Sequence, residues 1–128
     1  MDLKTSANVE IARNYIDLLE KGDIRSVISL FSSTGIVHSP IYGKKSAKEF
    51  YNDLAEDTSE SKLTINGIFE EPGSNRVALY FNYTWTLKNG EVVNFDVVDI
   101  IVFDDDNNIV NLKIIYDTRY SRKAIGLL

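Results

Sequence analysis

The chain has 128 residues, a formal net charge of −5 and no cysteine. Hydrophobic residues make up 44% of it and charged residues 26%, which is typical of a single globular domain with its own core. The acidic balance argues against sequence-independent nucleic-acid binding, and the lack of cysteine excludes disulfides and zinc–thiolate sites.

No apolar run approaches the roughly 18 residues that a membrane-spanning helix needs, and the N-terminal residues are too polar for a signal peptide. We therefore expect a cytoplasmic protein without a membrane or nucleic-acid partner. A single histidine is too few for a histidine-based metal site, and the acidic residues 104–106 lack the ligand spacing of a calcium loop. We accordingly expect neither a metal nor a cofactor.

Two helices are predicted near the N-terminus. Apolar residues recur at helical spacing over residues 5–21, and Gly22 follows as a typical helix stop. Asp23 can cap a second helix whose apolar positions extend to Phe31. A short strand over residues 35–40 should end at Pro40, because proline cannot donate to a sheet ladder.

A third helix should begin at Ser46, since Ser46 and Glu49 form a capping-box pattern ahead of an apolar stripe. Residues 41–45 and 55–62 are predicted loops, and the second is polar enough to be mobile. Further strands are predicted over residues 63–70, 76–88, 91–103 and 109–117, followed by a short solvated tail. The dipeptide Asn89-Gly90 is a strong hairpin signal. The sequence thus predicts one domain over residues 1–128, of the α+β class, with three helices covering one face of a mainly antiparallel sheet.

The strand over residues 91–103 is apolar on both faces, yet Asp99 lies in the middle of one of them. Burying an ionised carboxylate costs several kcal/mol unless it is paired, hydrogen-bonded or protonated. The opposite face of the hairpin is also apolar, and helices on one side alone would leave it exposed. We therefore expect a homodimer that covers this face. Its predicted contact residues are Tyr83, Trp85, Val98 and Ile100.

The order of these elements resembles the NTF2-like superfamily, which includes the SnoaL-like polyketide cyclases and the ketosteroid isomerases. The similarity covers roughly residues 7–117. Its most specific segments, residues 13–15, 19–23, 30–31 and 48–51, look like helical segments of ketosteroid isomerase. The resemblance implies a cone-shaped fold with a deep pocket between the helices and a concave sheet.

Ketosteroid isomerase uses a tyrosine and a protonated aspartate to donate hydrogen bonds to the developing enolate oxygen. By this resemblance, Tyr15 and Asp99 form an oxyanion hole. The isomerase's general base is an aspartate just before the proline that ends the first strand, and Ser39 occupies that position here. A serine hydroxyl is not a base at neutral pH without an activator. The candidate bases are therefore a water bound by Ser39, His38 or Asp117.

Each of these residues also has a purely structural interpretation. Tyr15 fits a core tyrosine, and Asp99 fits a structural aspartate hydrogen-bonded to Tyr15 or Tyr116. By strand alternation, His38 should point away from the cavity if Ser39 points into it.

Alternation counted back from a two-residue Asn89-Gly90 turn predicts that Asn82 and Thr84 share the concave face with Asp99. The other predicted ligand-binding residues are Phe50, Val97, Leu112, Ile114, Tyr116 and Asp117. Such an apolar pocket with a few polar groups is typical of a site for an apolar or aromatic small molecule. Two functions fit this pattern. One is a cofactor-independent isomerase, cyclase or lyase, and the other is a non-catalytic ligand-binding or protein-interaction module.

Overall fold

A computed structural model gives the fold of the chain and describes residues 6–126. The elements in chain order are α1 (Ala7–Lys21), α2 (Ile24–Ser29), β1 (Phe31–Ser39), β2 (Gly43–Ser46), α3 (Ala47–Asp57), β3 (Thr58–Glu70), β4 (Arg76–Leu87), β5 (Val92–Phe103), β6 (Ile109–Ile115) and α4 (Arg119–Ala124). The described residues contain no helix that is both long and apolar enough to cross a bilayer. The predicted start of the first helix at residue 5 lies outside them.

The six strands form one open sheet in the order β2-β1-β6-β5-β4-β3. β1 runs parallel to β6, and every other neighbouring pair is antiparallel. The register shifts between Ile65 and Gly67 in β3, and between Phe31 and Ile36 in β1. Such irregularities bend a strand and increase its twist, so the sheet curves around α1 and α3, which pack on its inner face. The predicted α+β class is confirmed.

Local signals fix the three main helix starts and one helix end. The Ser6 hydroxyl accepts a hydrogen bond from the Val9 N–H at the start of α1, and the Ser46 hydroxyl accepts one from the Glu49 N–H at the start of α3. The Asp23 carboxylate caps α2 in the same way. Gly22 ends α1 in the left-handed conformation with φ 73°, where glycine has no Cβ clash. The predicted caps at Asp23 and Ser46 and the predicted stop at Gly22 are therefore confirmed.

Tertiary contacts override the sequence pattern at four places. Residues 55–62 are not a loop, because α3 continues to Asp57 and β3 begins at Thr58, whose hydroxyl accepts the indole N–H of Trp85. Phe31 belongs to β1 and pairs with Ile109 instead of ending the second helix. Residues 43–46 pair with β1 as the short strand β2. The predicted tail contains α4, which the side chain of Arg122 ties to the carbonyl of Pro40.

The loop between β4 and β5 is closed by Leu87 and Glu91, so it has three residues, 88–90, instead of the predicted two. The Leu87 N–H donates to the Glu91 carbonyl at 2.8 Å, and the Gly90 N–H donates to the Leu87 carbonyl at 3.0 Å. Gly90 has φ 89°, as the third residue of such a loop requires. A shift of one residue moves every side chain of a strand to the other face. The predicted faces of β4 are therefore wrong.

The corrected register pairs Leu79 with Asp99 and Tyr83 with Phe95. Tyr83 and Trp85 consequently lie inside the cone, where they are 7% and 2% exposed, and they are not part of an outer dimer face. Asn82 and Thr84 lie on the outer face and do not line a pocket there; Asn82 hydrogen-bonds to Asn94 and Asp96, and Thr84 to Asn94. The faces of β5 are as predicted, since Val97 and Asp99 are buried and Val98 and Ile100 point outward.

Candidate active site

Three polar side chains lie near one another in the buried core between α1, α3 and β5, close enough for Asp99 to act electrostatically on both tyrosines. The hydroxyls of Tyr15 and Tyr51 lie 2.7 Å apart, and both tyrosines are at most 2% exposed. Asp99 is 1% exposed, and its Oδ1 has no hydrogen-bond partner among the described residues. An unsatisfied buried polar group costs about 1–3 kcal/mol, so this arrangement calls for an explanation. We call these three residues the donor cluster.

Burial controls the protonation of the donor cluster. It raises the pKa of Asp99 well above the usual carboxyl range, because a charge is poorly solvated in the core. Burial is also the main reason why the pKa of Tyr15 lies well above its usual value, and the nearby Tyr51 and Asp99 raise it further. The pKa of Tyr51 is raised by burial as well. The two tyrosines are therefore neutral at pH 7, and burial favours the protonated form of Asp99.

Neutral groups in this arrangement have hydrogens to donate. One tyrosine hydroxyl donates to the other, which leaves the second tyrosine hydrogen uncommitted within the pair. The protonated carboxyl of Asp99 carries a further hydrogen. Two donors in a site of low polarity are suited to stabilising a negatively charged oxygen.

A small apolar cavity lies beside the donor cluster. Its volume is about 40 Å³. It is lined by Tyr42, Leu54, Phe81, Tyr83, Trp85, Phe95, Val97, Ile114 and Tyr116. Val97 is two residues before Asp99 on the same strand face, and Ile114 is the cross-strand partner of Asp99. The donor cluster therefore neighbours the cavity through Val97 and Ile114, and none of its three residues lines the cavity itself.

Aromatic rings form most of the cavity wall. Phe95 stacks on Tyr116 with 4.6 Å between ring centroids, and Tyr83 packs against Phe95 at 5.5 Å. The hydroxyl of Tyr42 donates to the carboxylate of Asp57, which joins the loop after β1 to the end of α3. Flat aromatic walls of this kind favour a flat apolar ligand.

The structure distributes the predicted ligand-binding residues unevenly. Val97, Ile114 and Tyr116 line the cavity. Phe50 and Leu112 are buried in the core without lining it, and the ring of Phe50 packs edge-on against Tyr51 at 4.7 Å.

Each of the three candidate bases has a hydrogen-bond partner outside the donor cluster. The Ser39 hydroxyl accepts hydrogen bonds from the N–H groups of Ile41 and Tyr42, so it stabilises the turn after β1. His38 lies on the outer face of the sheet, with its Nε2 3.2 Å from Nδ2 of Asn111. Asp117 is exposed, and its carboxylate accepts the N–H of Arg119. Strand alternation explains His38, since Val37 and Ser39 take the inward positions.

Sequence reasoning missed several residues of the site. The sequence pattern shows Tyr51 only as part of the apolar stripe of α3. Nothing in its spacing indicates that its hydroxyl contacts that of Tyr15. Phe81, Tyr83 and Trp85 were assigned to the outer face or left out because of the one-residue register error. These three residues alternate along β4 and share one face of the strand. A three-residue loop in place of a two-residue loop places that face toward the inside of the cone. Among residues 6–126, no group of three or more acidic or histidine side chains is placed to hold a metal ion.

The family assignment follows from the sequence over most of the described chain. The model of the SnoaL-like domain matches residues 12–112. The chain belongs to the SnoaL-like family. A search of curated protein sequences gives no match to this SnoaL-like protein.

Solved structures agree with this assignment at the level of the fold. An NTF2-like protein of unknown function from Burkholderia pseudomallei has a TM-score of 0.82 and 18% identity, over 94% of this chain and 98% of its own. TerC, in a structure co-crystallised with polyporic acid, has a TM-score of 0.80 and 19% identity, over 94% and 99%. SalBIII, an epoxide hydrolase/cyclase-like enzyme with a role in pyran ring formation in salinomycin, has a TM-score of 0.72 and 17% identity, over 86% and 90%. The NTF2-like cone predicted from the sequence is thereby confirmed.

Proposed function

We propose that this SnoaL-like protein binds an apolar or aromatic small molecule through an enol, ketone or phenol oxygen that receives hydrogen bonds from Tyr15 and Asp99. The observation that carries the proposal is the buried Asp99, whose Oδ1 lacks a partner beside the Tyr15–Tyr51 pair. A ligand oxygen would satisfy these donors. Fold neighbours that include an epoxide hydrolase/cyclase-like enzyme and a protein co-crystallised with polyporic acid support a small-molecule role.

In a reaction, the donor cluster would act on an oxygen that gains negative charge. Tyr15 and protonated Asp99 would stabilise an enolate better than the parent ketone, which lowers the barrier to forming it. Such chemistry suits a cofactor-independent isomerase, cyclase or lyase. The proton acceptor would come from the substrate or from a water, because Ser39, His38 and Asp117 are engaged elsewhere.

The second candidate is ligand binding without turnover. The positions of Ser39, His38 and Asp117 favour it, since an oxyanion hole without a base binds an enolate or phenol but does not form one. The two candidates share the donor cluster and differ only in whether a proton is removed from carbon. Exchange of the α-hydrogens of a bound ketone for deuterium, followed by NMR, separates them.

Phenol binding tests the donor cluster directly. We expect 2-naphthol to bind more tightly than 2-methoxynaphthalene, which has the same ring system but no hydroxyl. Tyr15→Phe and Asp99→Asn should each weaken 2-naphthol by about 1.5–3 kcal/mol, or roughly ten- to hundredfold. Isothermal titration calorimetry gives the affinities.

The matched control is Tyr80→Phe, which removes a tyrosine hydroxyl from the outer face of β4. It should leave the affinity for 2-naphthol unchanged. Equal affinities of the wild type for the phenol and its methyl ether would overturn the proposed oxyanion hole.

We also propose that the protein is a homodimer. The corrected outer face carries Tyr80, Val98 and Ile100 on adjacent strands, together with Ile115, which is 47% exposed. An uncovered apolar face that spans three strands is typical of an interaction site. A second copy would cover it through the same face, as a two-fold interface requires.

A further inference from the structure

The cavity beside the donor cluster is too small for the proposed ligand. A volume of about 40 Å³ has room for only about three water molecules. Sites for small molecules usually measure about 300–1,000 Å³. The proposed ligand therefore needs additional space next to the cavity. The shape of the neighbouring surface indicates where that space lies.

A groove of about 350 Å³ runs between the C-terminal ends of α1 and α3 and the first residues of β3. Its lining residues are Leu19, Glu20, Lys21, Gly22, Ile24, Leu54, Ala55, Thr58, Ser59, Glu60 and Ser61. Leu54 lines both this groove and the cavity. It is 8% exposed, so its side chain lies between the two spaces.

Two hydrogen-bonded pairs of side chains also connect the groove to the cavity. The Ser61 hydroxyl in the groove lies 2.8 Å from the hydroxyl of Tyr83 in the cavity. Thr58 in the groove accepts the indole N–H of Trp85, a cavity residue, also at 2.8 Å. Each hydrogen-bonded pair joins a residue of the groove to a residue of the cavity. Leu54 borders both spaces, and rotation of its side chain needs no movement of the backbone.

We propose that the groove is the outer part of the ligand site and that Leu54 separates it from the inner cavity. This inference rests on the proposed function above. The joined volume falls in the range of small-molecule sites. A ligand would place an apolar ring in the cavity, with its oxygen directed toward the donor cluster, and a polar end in the groove.

The groove also indicates the chemistry of that polar end. The Glu20 carboxylate reaches across the groove and accepts the Leu63 N–H at 2.8 Å, and Glu60 lines the opposite side. The hydroxyls of Thr58 and Ser59 add polar groups. Lys62 lies 3.9 Å from Glu60, so the charges around the groove balance. The carboxylate oxygens of Glu20 and Glu60 can only accept hydrogen bonds, and they therefore favour a hydrogen-bond-donating end over a carboxylate. The expected ligand class is an elongated aromatic molecule with an amine or hydroxyl at the groove end.

Access to the inner cavity can be measured without any ligand, because Trp85 lines it, is 2% exposed and is the single tryptophan of the chain. We expect Leu54→Ala to raise the quenching of Trp85 fluorescence by acrylamide several-fold. Leu112→Ala is the matched control, since Leu112 is also a buried leucine but lines neither space. It should raise quenching far less at the same folded fraction.

A second substitution tests the route of entry. Ala55→Phe places a ring in the groove, and in the Leu54→Ala background it should return quenching toward the wild-type value. Equal quenching in Leu54→Ala and Leu112→Ala, or no effect of Ala55→Phe on Leu54→Ala, would overturn the partition role of Leu54. This readout stands even if the donor cluster binds no phenol, so the two proposals fail separately.

The ligand class has its own measurement. Tyramine and 4-hydroxyphenylpropanoate carry the same phenol ring and differ in the charge of the side chain. We expect tyramine to bind several-fold more tightly, and Leu54→Ala to strengthen its binding relative to Leu112→Ala. Equal affinities or tighter binding of the carboxylate would contradict the amine or hydroxyl end.

Discussion

Asp99 is the residue at which folding and function conflict. Its neighbours on the inner face of β5 are Val97 and Ile101, and both are buried. A leucine at this position would avoid the cost of a buried carboxyl without a partner for Oδ1. The protein instead has a buried acid here, and no group among the described residues forms a hydrogen bond with its Oδ1. This is the pattern expected of a group whose partner is a ligand.

The protonation of Asp99 gives stability a distinctive pH dependence. Its pKa is raised in the folded protein, whereas in the unfolded chain it returns to about 3.9. Between these values the folded state holds a proton that the unfolded state has lost. The contribution of Asp99 to the free energy of unfolding is therefore greatest below about pH 4 and falls by about 1.4 kcal/mol per pH unit above it, until the folded pKa is reached.

Asp99→Asn removes this proton and should remove its pH dependence. We expect the free energy of unfolding of the variant, relative to the wild type, to rise steadily from pH 4 to pH 7, as measured by urea unfolding. Asp96→Asn is the control, because it removes a carboxylate from an exposed position of the same strand. If the two variants showed the same dependence relative to the wild type, Asp99 would not be held neutral by burial.

At the scale of the elements, the loop between β4 and β5 decides which residues form the site. Gly90 occupies the left-handed region with φ 89°, and a Cβ added there would meet no atom within 4 Å. The cost of a substitution at Gly90 is therefore conformational and not steric. A residue with a Cβ loses about 1–2 kcal/mol in this region, and asparagine tolerates it better than alanine.

We accordingly expect Gly90→Ala to lower the free energy of unfolding by about 1 kcal/mol and Gly90→Asn to lower it by less. Urea unfolding of the two variants at one pH provides the comparison. Because both variants add a side chain into open space, a greater loss for asparagine than for alanine would contradict the three-residue loop.

Prediction from the sequence succeeded where structure is set by neighbours in the chain. The caps at Asp23 and Ser46 are local hydrogen bonds, and the alternation of β5 is a local pattern. The fold class followed from the order of such elements. The donor roles of Tyr15 and Asp99 came from a resemblance and remain a proposal.

What the sequence did not yield depends on contacts between distant segments. The β4 register turned on one extra loop residue, which the Asn89-Gly90 signal does not specify. The start of β3 at Thr58 is stabilised by β4, through the bond from Trp85. The contact between Tyr15 of α1 and Tyr51 of α3 joins residues that are 36 positions apart in sequence. No local pattern encodes any of these three features.

In the whole molecule, the two faces of the sheet have different surroundings. The inner face packs against α1 and α3 and holds the donor cluster and cavity. The outer face has a polar part around Asn82 and Asp96, where side chains hydrogen-bond to one another. Its apolar part lies around Val98 and Ile100, on the side of the sheet opposite the buried Val97 and Asp99. The proposed second copy would cover this part of the surface.

A charge in the apolar part of the outer face should therefore separate the proposed dimer. Ile100 lies between Ala78 of β4 and Lys113 of β6, near the centre of that surface. In Ile100→Glu, dimerisation would bury a carboxylate at a cost of several kcal/mol, which corresponds to at least about a hundredfold weaker association. Sedimentation equilibrium should show a dimer for the wild type and a monomer for the variant, with unchanged circular dichroism.

Thr64→Glu is the control, because Thr64 is exposed and pairs with Asn82 on the polar part of the outer face. This variant should remain dimeric. A wild type that sediments as a monomer, or an Ile100→Glu variant that stays dimeric, would remove the second copy as the partner of this face.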